Sequence, residues 1–340
     1  MKFEVYNYQC SPAEIKSGGM FTESDRQYRE EALQAMENHL NIIDDIFTAE
    51  DLTYPVGTEG CTTFKQGKDI YILRPKPSPT QILLNGKKGP TLCHSRMLYA
   101  QAGIYVISVQ NETVLYGERE WKRIGHRNQP TCLAVLINRT GKQLLLVETH
   151  KAFRSTTTVS RIFEHALSKL LARHKLLITF KPHYSTNSFW EHISKNRKRG
   201  VLPKKIKFHF DYPNMAEDSK LLAGFFKKFG TDLNAASEYM IQGQNKQNLN
   251  IDDQNRNKDL ESLISYCANT GNTVKVWNSD ESSCTFSAKT QGTSMLNASN
   301  KMQKGFTQLV EGVNTPTLLG FQNDDKSLGD EIAEWSNSLK

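Results

Sequence analysis

The 340-residue chain contains no apolar run approaching the ~18 residues that a membrane span needs, which predicts a protein without one. Its start, Met1-Lys2-Phe3-Glu4-Val5-Tyr6, lacks the charged lead and apolar stretch of a signal peptide, so the cytoplasm is the expected location. The six cysteines (Cys10, Cys61, Cys93, Cys132, Cys267 and Cys284) are scattered and form no Cys-x-x-Cys pair. That spacing argues for reduced thiols and against a zinc site or a disulfide framework. Also missing are Gly-x-Gly-x-x-Gly, a phosphate-loop Gly-Lys-Ser/Thr, Gly-x-Ser-x-Gly and His-Glu-x-x-His. The sequence therefore names no cofactor, no metal site and no catalytic residue, and it leans away from an enzyme.

What is present is basic charge, unevenly placed. The net charge is +7, with 23% charged and 38% hydrophobic residues. Length gives a prior of about two domains, enough to bury a core without staples. Residues 1–60 carry a net of −8, residues 61–150 a net of +8, and residues 211–340 a net of −5. Residues 151–210 hold 14 Lys/Arg against Glu164 and Glu191, a net of +12. A solvated face usually interleaves both signs, so a one-signed block predicts attraction of polyanions. Seven of the nine histidines lie between His126 and His209, so mild acid is expected to add charge there.

Periodicity gives an α+β reading in three stretches. Residues 1–200 are expected to form a mostly antiparallel sheet domain with helices, carrying the basic block at its end. It would open with a strand from Phe3 and an amphipathic helix over 25–48, capped by Asp25, with Leu33, Met36, Leu40, Ile43 and Phe47 inward and an acidic outer face. Strands follow at Asp69–Leu73 and at Gly103–Val109, the latter pairing with Thr113–Tyr116. The runs Cys132–Ile137 and Gln143–Val147 make a hairpin around Asn138-Arg139-Thr140-Gly141. A helix runs from Thr156 to about Leu177 on Val159, Ile162, Phe163, Ala166, Leu167, Leu170 and Leu171, and a shorter one spans Ser188–Arg199. After a boundary near Gly200–Pro203, residues 204–290 read as a small βαβαβ module. Its parts are a strand at Lys205–Asp211, a helix on Leu221–Phe229, a strand at Glu238–Ile241, a helix at Asp259–Asn269 and a strand at Val274–Trp277. Residues 291–340 read as a polar tail with a closing helix on Ile332, Trp335 and Leu339, and 279–324 as mostly irregular.

The candidate nucleic-acid contacts are Lys195, Arg197, Lys198, Arg199, Lys204, Lys205 and Lys207 within 13 residues, with Arg154, Arg161, Lys169 and Arg173 as a helical stripe. Arg and Lys at this density neutralise backbone phosphates. Nearby His183, Tyr184, Phe189 and Trp190 are candidates to stack on unpaired bases, although Phe189-Trp190 beside Ile193 also suits a core. Lys204-Lys205 has a second reading as edge protection for a strand. His165, His174, His183 and His192 recur every nine residues, or 2.5 helical turns, which points successive rings to opposite faces and predicts surface histidines rather than ligands. Glu120-Trp121-Lys122 matches the Glu-x-Lys end of a metal-dependent nuclease site, which would need Asp69 or Glu112 as its second carboxylate.

The layout also carries a resemblance. A sheet domain containing Pro130-Thr131-Cys132-Leu133-Ala134-Val135-Leu136-Ile137, a hairpin, a helix after a Thr-rich turn, and an α/β module from Lys205–Asp211 occur in that order. Over about residues 100–310 this resembles the phage-exclusion proteins of the lambda Rex A type and related antiphage proteins, among them protein B of the Kiwa system. It rests on the order of parts, without a diagnostic motif, and the acidic helix 25–48 departs from it. The resemblance implies a cytoplasmic homodimer or higher oligomer that binds DNA, in preference to RNA, without strong sequence preference, in bacterial antiphage defence with a partner protein of the same operon. A metal-dependent nuclease effector and a protein–protein interaction module are the alternative expectations. From the −8 and +12 charge split, the acidic helix is expected to cover the basic groove in the free protein or the neighbouring subunit.

Overall fold

The acidic N-terminal segment folds as two helices, α1 (Glu23–Glu37) and α2 (His39–Thr48), after a first strand β1 (Lys2–Pro12). Thr22, rather than Asp25, caps α1: its hydroxyl accepts from the Asp25 backbone N–H while Thr22 N–H donates to the Asp25 carboxylate at 2.7 Å. This reciprocal pair satisfies two orphan donors of the first turn. It also lowers the Asp25 pKa, chiefly through the bond from the Thr22 backbone. Asn38 interrupts the run at φ −97°, ψ 13°, so the expected single helix is broken in the middle. Met36, Ile43 and Phe47 are buried as the spacing predicts, while Glu30, Glu31 and Glu37 face solvent.

The computed structural model describes residues 1–13, 22–48, 63–66, 69–73, 91–117, 120–123, 131–151, 153, 155–210, 237–311 and 328–339. The fold is α+β, with antiparallel sheets and packed helices. The chain divides into two units, neither of them continuous in sequence. The first comprises Met1–Glu4, Pro12–Phe180 and Leu296–Ser336; the second comprises Val5–Ser11, Lys181–Met295 and Asn337–Lys340.

The first unit is built on strands β2 (Thr63–Gln66), β3 (Asp69–Leu73), β4 (Thr91–Gln101), β5 (Ile104–Gly117), β6 (Glu120–Arg123), β7 (Thr131–Arg139) and β8 (Lys142–Glu148). Their order is β8-β7-β5-β4-β3-β2, with β6 pairing the far end of β5. The hairpin at 138–141 is present, closed by Arg139 opposite Lys142. The expected hairpin at 110–112 is not: β5 runs straight through these residues, paired by β4 along Ile104–Thr113. Leu133–Ile137 and Leu144–Val147 are buried on both faces, as their continuous apolar runs predict.

Helix α3 (Thr156–Leu171) is capped by Ser155 and buries the stripe read from its sequence. It stops six residues earlier than expected. A 3₁₀ turn at Ala172–His174 and Lys175 at φ 59° lead into β9 (Leu176–Pro182), where Leu176, Ile178 and Phe180 are buried and Leu177 and Thr179 exposed. That period of two is a strand's. The closing helix α8 (Leu328–Asn337) buries Ile332, and Trp335 meets Phe3 edge-on at 5.2 Å between ring centroids.

The second unit is a four-stranded antiparallel sheet in the order β11-β10-β12-β13, from β10 (Pro203–Phe210), β11 (Ser237–Gln242), β12 (Thr273–Asn278) and β13 (Ser283–Phe286). Helices α4 (Asn187–Lys198) and α5 (Lys258–Thr270) cover one face of it. Asn257 caps α5, its Oδ1 accepting from Leu260 N–H at 2.9 Å, and Gly271 ends it at φ 66°. The core combines Tyr184, Phe189, Trp190 and Ile193 with Ile206, Phe208 and Phe210 of β10, Leu263, Ile264 and Cys267 of α5, and Val274 and Val276 of β12. Helix α4 thus belongs with the module, and the chain re-enters this unit at Lys181, ahead of the boundary read at 200–203. The expected helix on Leu221–Phe229 lies outside the described residues. The stretch read as irregular contains β13, a short helix α6 (Ala288–Gln291), β14 (Met295–Asn297) and α7 (Asn300–Val310).

Candidate nucleic-acid interface

Period-two alternation sorts β10 and its neighbours into two faces. Ile206, Phe208 and Phe210 point into the core, so Lys205, Lys207 and His209 point out. On β12 the same rule buries Val274 and Val276 and turns Lys275 and Trp277 outward. The register sets Lys205 opposite Trp277 and Lys207 opposite Lys275, while Gln242 and Met240 of β11 flank them on the other side. The face turned away from α4 and α5 therefore presents lysines around one aromatic ring.

Trp277 is half-buried, with the ammonium groups of Lys205 and Lys275 each 4.7 Å from its ring centroid. The pairing of β10 with β12 slips between Pro203 and Lys205, making Lys204 an extra residue. Such a bulge breaks the alternation, so Lys204 and Lys205 both reach the same cleft. The cleft has a volume of about 450 Å³ and is lined by Lys204, Lys205, Gln242, Gly243, Trp277 and Asn278, with Gln247 and Glu281. Gly243 N–H donates to Lys204 O at 3.1 Å and Leu249 N–H to Pro203 O at 2.6 Å, fixing the loop that walls it. A side chain at Gly243 would put Cβ 1.9 Å from the Gln247 carbonyl oxygen, so this wall needs glycine. Asn278 is buried and donates to Ser282 Oγ at 3.0 Å, but its Oδ1 has no partner among the described residues.

The sequence candidates divide between the two units. Arg161 and Lys169 are exposed on α3 of the first unit, and Arg173 is exposed on the 3₁₀ turn, off the helical stripe. Arg154 lies outside the described residues. The other seven belong to the second unit. Lys195, Lys198 and Arg199 are exposed around the last turn of α4, where cations also complement the helix dipole. Arg197 is committed to Asp252 at 2.8 Å and Asp253 at 3.7 Å. Lys207 pairs with Glu238 at 2.6 Å, which holds the Glu238 carboxyl below its usual range. Lys204 and Lys205 guard no edge, because β10 is an inner strand.

The aromatic candidates are corrected. Tyr184, Phe189 and Trp190 are core residues, and His183 is 3% exposed, its Nδ1 bonded to Ser294 Oγ at 2.7 Å and its Nε2 to Asn269 Oδ1 at 3.2 Å. Burial pushes the His183 pKa down to about 4, and His192, half-buried, is also lowered, mainly by burial. These two rings do not become the charges expected in mild acid; His174 is exposed. Sequence reading missed Trp277 and Lys275 as site residues. The signal was there in Val274-Lys275-Val276-Trp277, whose alternation sends the apolar pair in and the Lys/Trp pair out.

The nuclease constellation does not assemble in the strand register. Glu120 sits opposite Gly117, whereas Asp69 aligns through Arg96 with Ser108, so about 30 Å of strand separates the two positions. Glu112 lies five residues from Gly117 on β5, or about 17 Å. Among the described residues no three His, Cys, Asp or Glu side chains come together as a metal site, and no helix is long and apolar enough to cross a membrane. Cys10, Cys132 and Cys267 are buried thiols outside any disulfide, whose pKa values burial raises, that of Cys10 to about 12, which leaves them poor nucleophiles. No protein-family model matches the chain, and no curated protein matches it.

Proposed function

We propose that this protein binds nucleic acid, DNA in the first place, through the Lys205, Lys275 and Trp277 face of the sheet in its second unit and through the cations at the end of α4, without reading sequence. The observation that carries this reading is the set Lys204, Lys205 and Lys275 gathered about Trp277 on the sheet face turned away from α4 and α5. Lys195, Lys198 and Arg199 add exposed cations in the same unit. Lysines act as point charges towards phosphate, and among the described residues no helix of a groove-reading motif supports base-specific readout. The resemblance to antiphage proteins of the Rex A and Kiwa type supports a cytoplasmic, oligomeric protein of phage defence as the setting.

Fluorescence anisotropy with labelled duplex DNA, single-stranded DNA and RNA at ~50 and ~200 mM salt tests the reading. If Lys195, Lys198, Arg199, Lys204, Lys205 and Lys275 each meet a phosphate, affinity should fall by about 10³-fold for duplex and about 300-fold for a single strand. Lys204→Gln with Lys205→Gln should weaken binding and flatten the salt slope by about two charges. Failure to bind any of the three at ~50 mM salt overturns the proposal and leaves the protein-interaction alternative, to be pursued by pull-down.

A further inference from the structure

We infer that the Trp277 cleft takes an unpaired base of single-stranded DNA, stacked on the indole, with the flanking phosphates held by Lys204, Lys205 and Lys275. This deepens the reading above and rests on it. A base pair inside a duplex buries both its faces in the stack, so an aromatic floor gains only from a strand whose bases are free. The cleft's volume of about 450 Å³ falls in the range of small-ligand sites rather than of flat protein contacts. Two lysines line it, Lys204 because of the bulge and Lys205 because the register sets it opposite Trp277, and Lys275, two residues before Trp277 on β12, brings a third ammonium to the ring. Three cations beside one aromatic ring match the alternation of phosphate and base along a strand, whereas an apolar peptide would leave them unpaired.

The test compares a single-stranded thymidine oligonucleotide, an abasic strand of the same length and a duplex, each titrated into the full chain at one salt concentration. The abasic strand keeps the phosphates and removes the stacking partner, so it should bind about 5- to 150-fold more weakly than the thymidine strand. Trp277→Ala should lose a similar factor for the thymidine strand and less than about twofold for the duplex, while Trp277→Phe keeps most of the affinity. The abasic comparison uses unaltered protein, so a folding defect in Trp277→Ala cannot imitate the result. Equal binding of abasic and thymidine strands, with duplex affinity intact, overturns this inference and leaves the phosphate-binding reading standing. No binding of any of the three overturns both.

Discussion

At Trp277 two small energies compete. Each lysine over the ring contributes about 0.5–1 kcal/mol at an exposed site. A stacked base contributes about 1–3 kcal/mol and lets the displaced ammonium groups move to phosphates. For the stacking proposed above, the two lysines together and the base are of similar size, so the exchange turns on the displaced ammonium groups gaining phosphates. At His183 the larger effect is on stability. The native ring stays neutral down to about pH 4, while the unfolded chain takes up the proton near pH 6.5. Between these values the unfolded state binds more protons than the native one, so stability falls as pH falls through the window and is fully present above it. The whole loss is about 3 kcal/mol. Urea unfolding at pH 7 and pH 4.5 should show most of it, and His183→Gln should shrink the difference between the two pH values. An unchanged pH difference in the variant would assign the acid sensitivity elsewhere.

The β4–β5 turn tolerates little change. Ala102 and Gly103 make a two-residue turn with φ 46° and 74°, and Asn138 N–H donates to Gly103 O at 2.7 Å. A Cβ on Gly103 would lie 2.4 Å from the Asn138 carbonyl oxygen, whereas one on Gly141, at φ 69°, meets nothing within 4 Å. Gly141→Ala should cost only the left-handed backbone penalty, about 1–2 kcal/mol. Gly103→Ala adds a clash with a backbone that is itself paired, and should cost about 2–4 kcal/mol. Denaturant midpoints of the two variants check the order, and equal losses would mean that the β7 backbone yields. Elements whose periodicity and caps agreed were legible in the sequence: the β7–β8 hairpin, the stripe of α3, α5 with its terminal Gly271, and the β10 alternation. Reading failed where one apolar run suits two structures. Leu176–Phe180 continued a helix in pattern until Lys175 turned left-handed, and β5 crossed a polar stretch at 110–112 that looked like a turn because β4 pairs it there. The site was half legible. Its lysines stood out as charge, but its aromatic floor comes from a strand 70 residues further on, joined to them only by register.

Over the whole molecule, a block of charge in sequence proved not to be one patch, because the chain leaves the first unit in the middle of that block. The same discontinuity governs how the protein can be dissected. A fragment of residues 204–290 follows the module's sequence boundaries but lacks Tyr184, Phe189, Trp190 and Ile193, all at most 3% exposed in its core. Losing four such side chains removes about 6–12 kcal/mol of burial, comparable to the entire stability of a typical domain. A deletion of residues 1–50 meant to uncover the basic surface would likewise remove the buried Phe3, Tyr6, Tyr8, Ile43 and Phe47. It would report unfolding rather than autoinhibition. The 204–290 fragment should therefore show no cooperative thermal transition by circular dichroism, while the full chain shows one. A sharp transition in the fragment would mean that α4 is dispensable to this core. Short of that result, binding belongs on the full chain, with point substitutions on the exposed face as the only perturbation that leaves both cores whole.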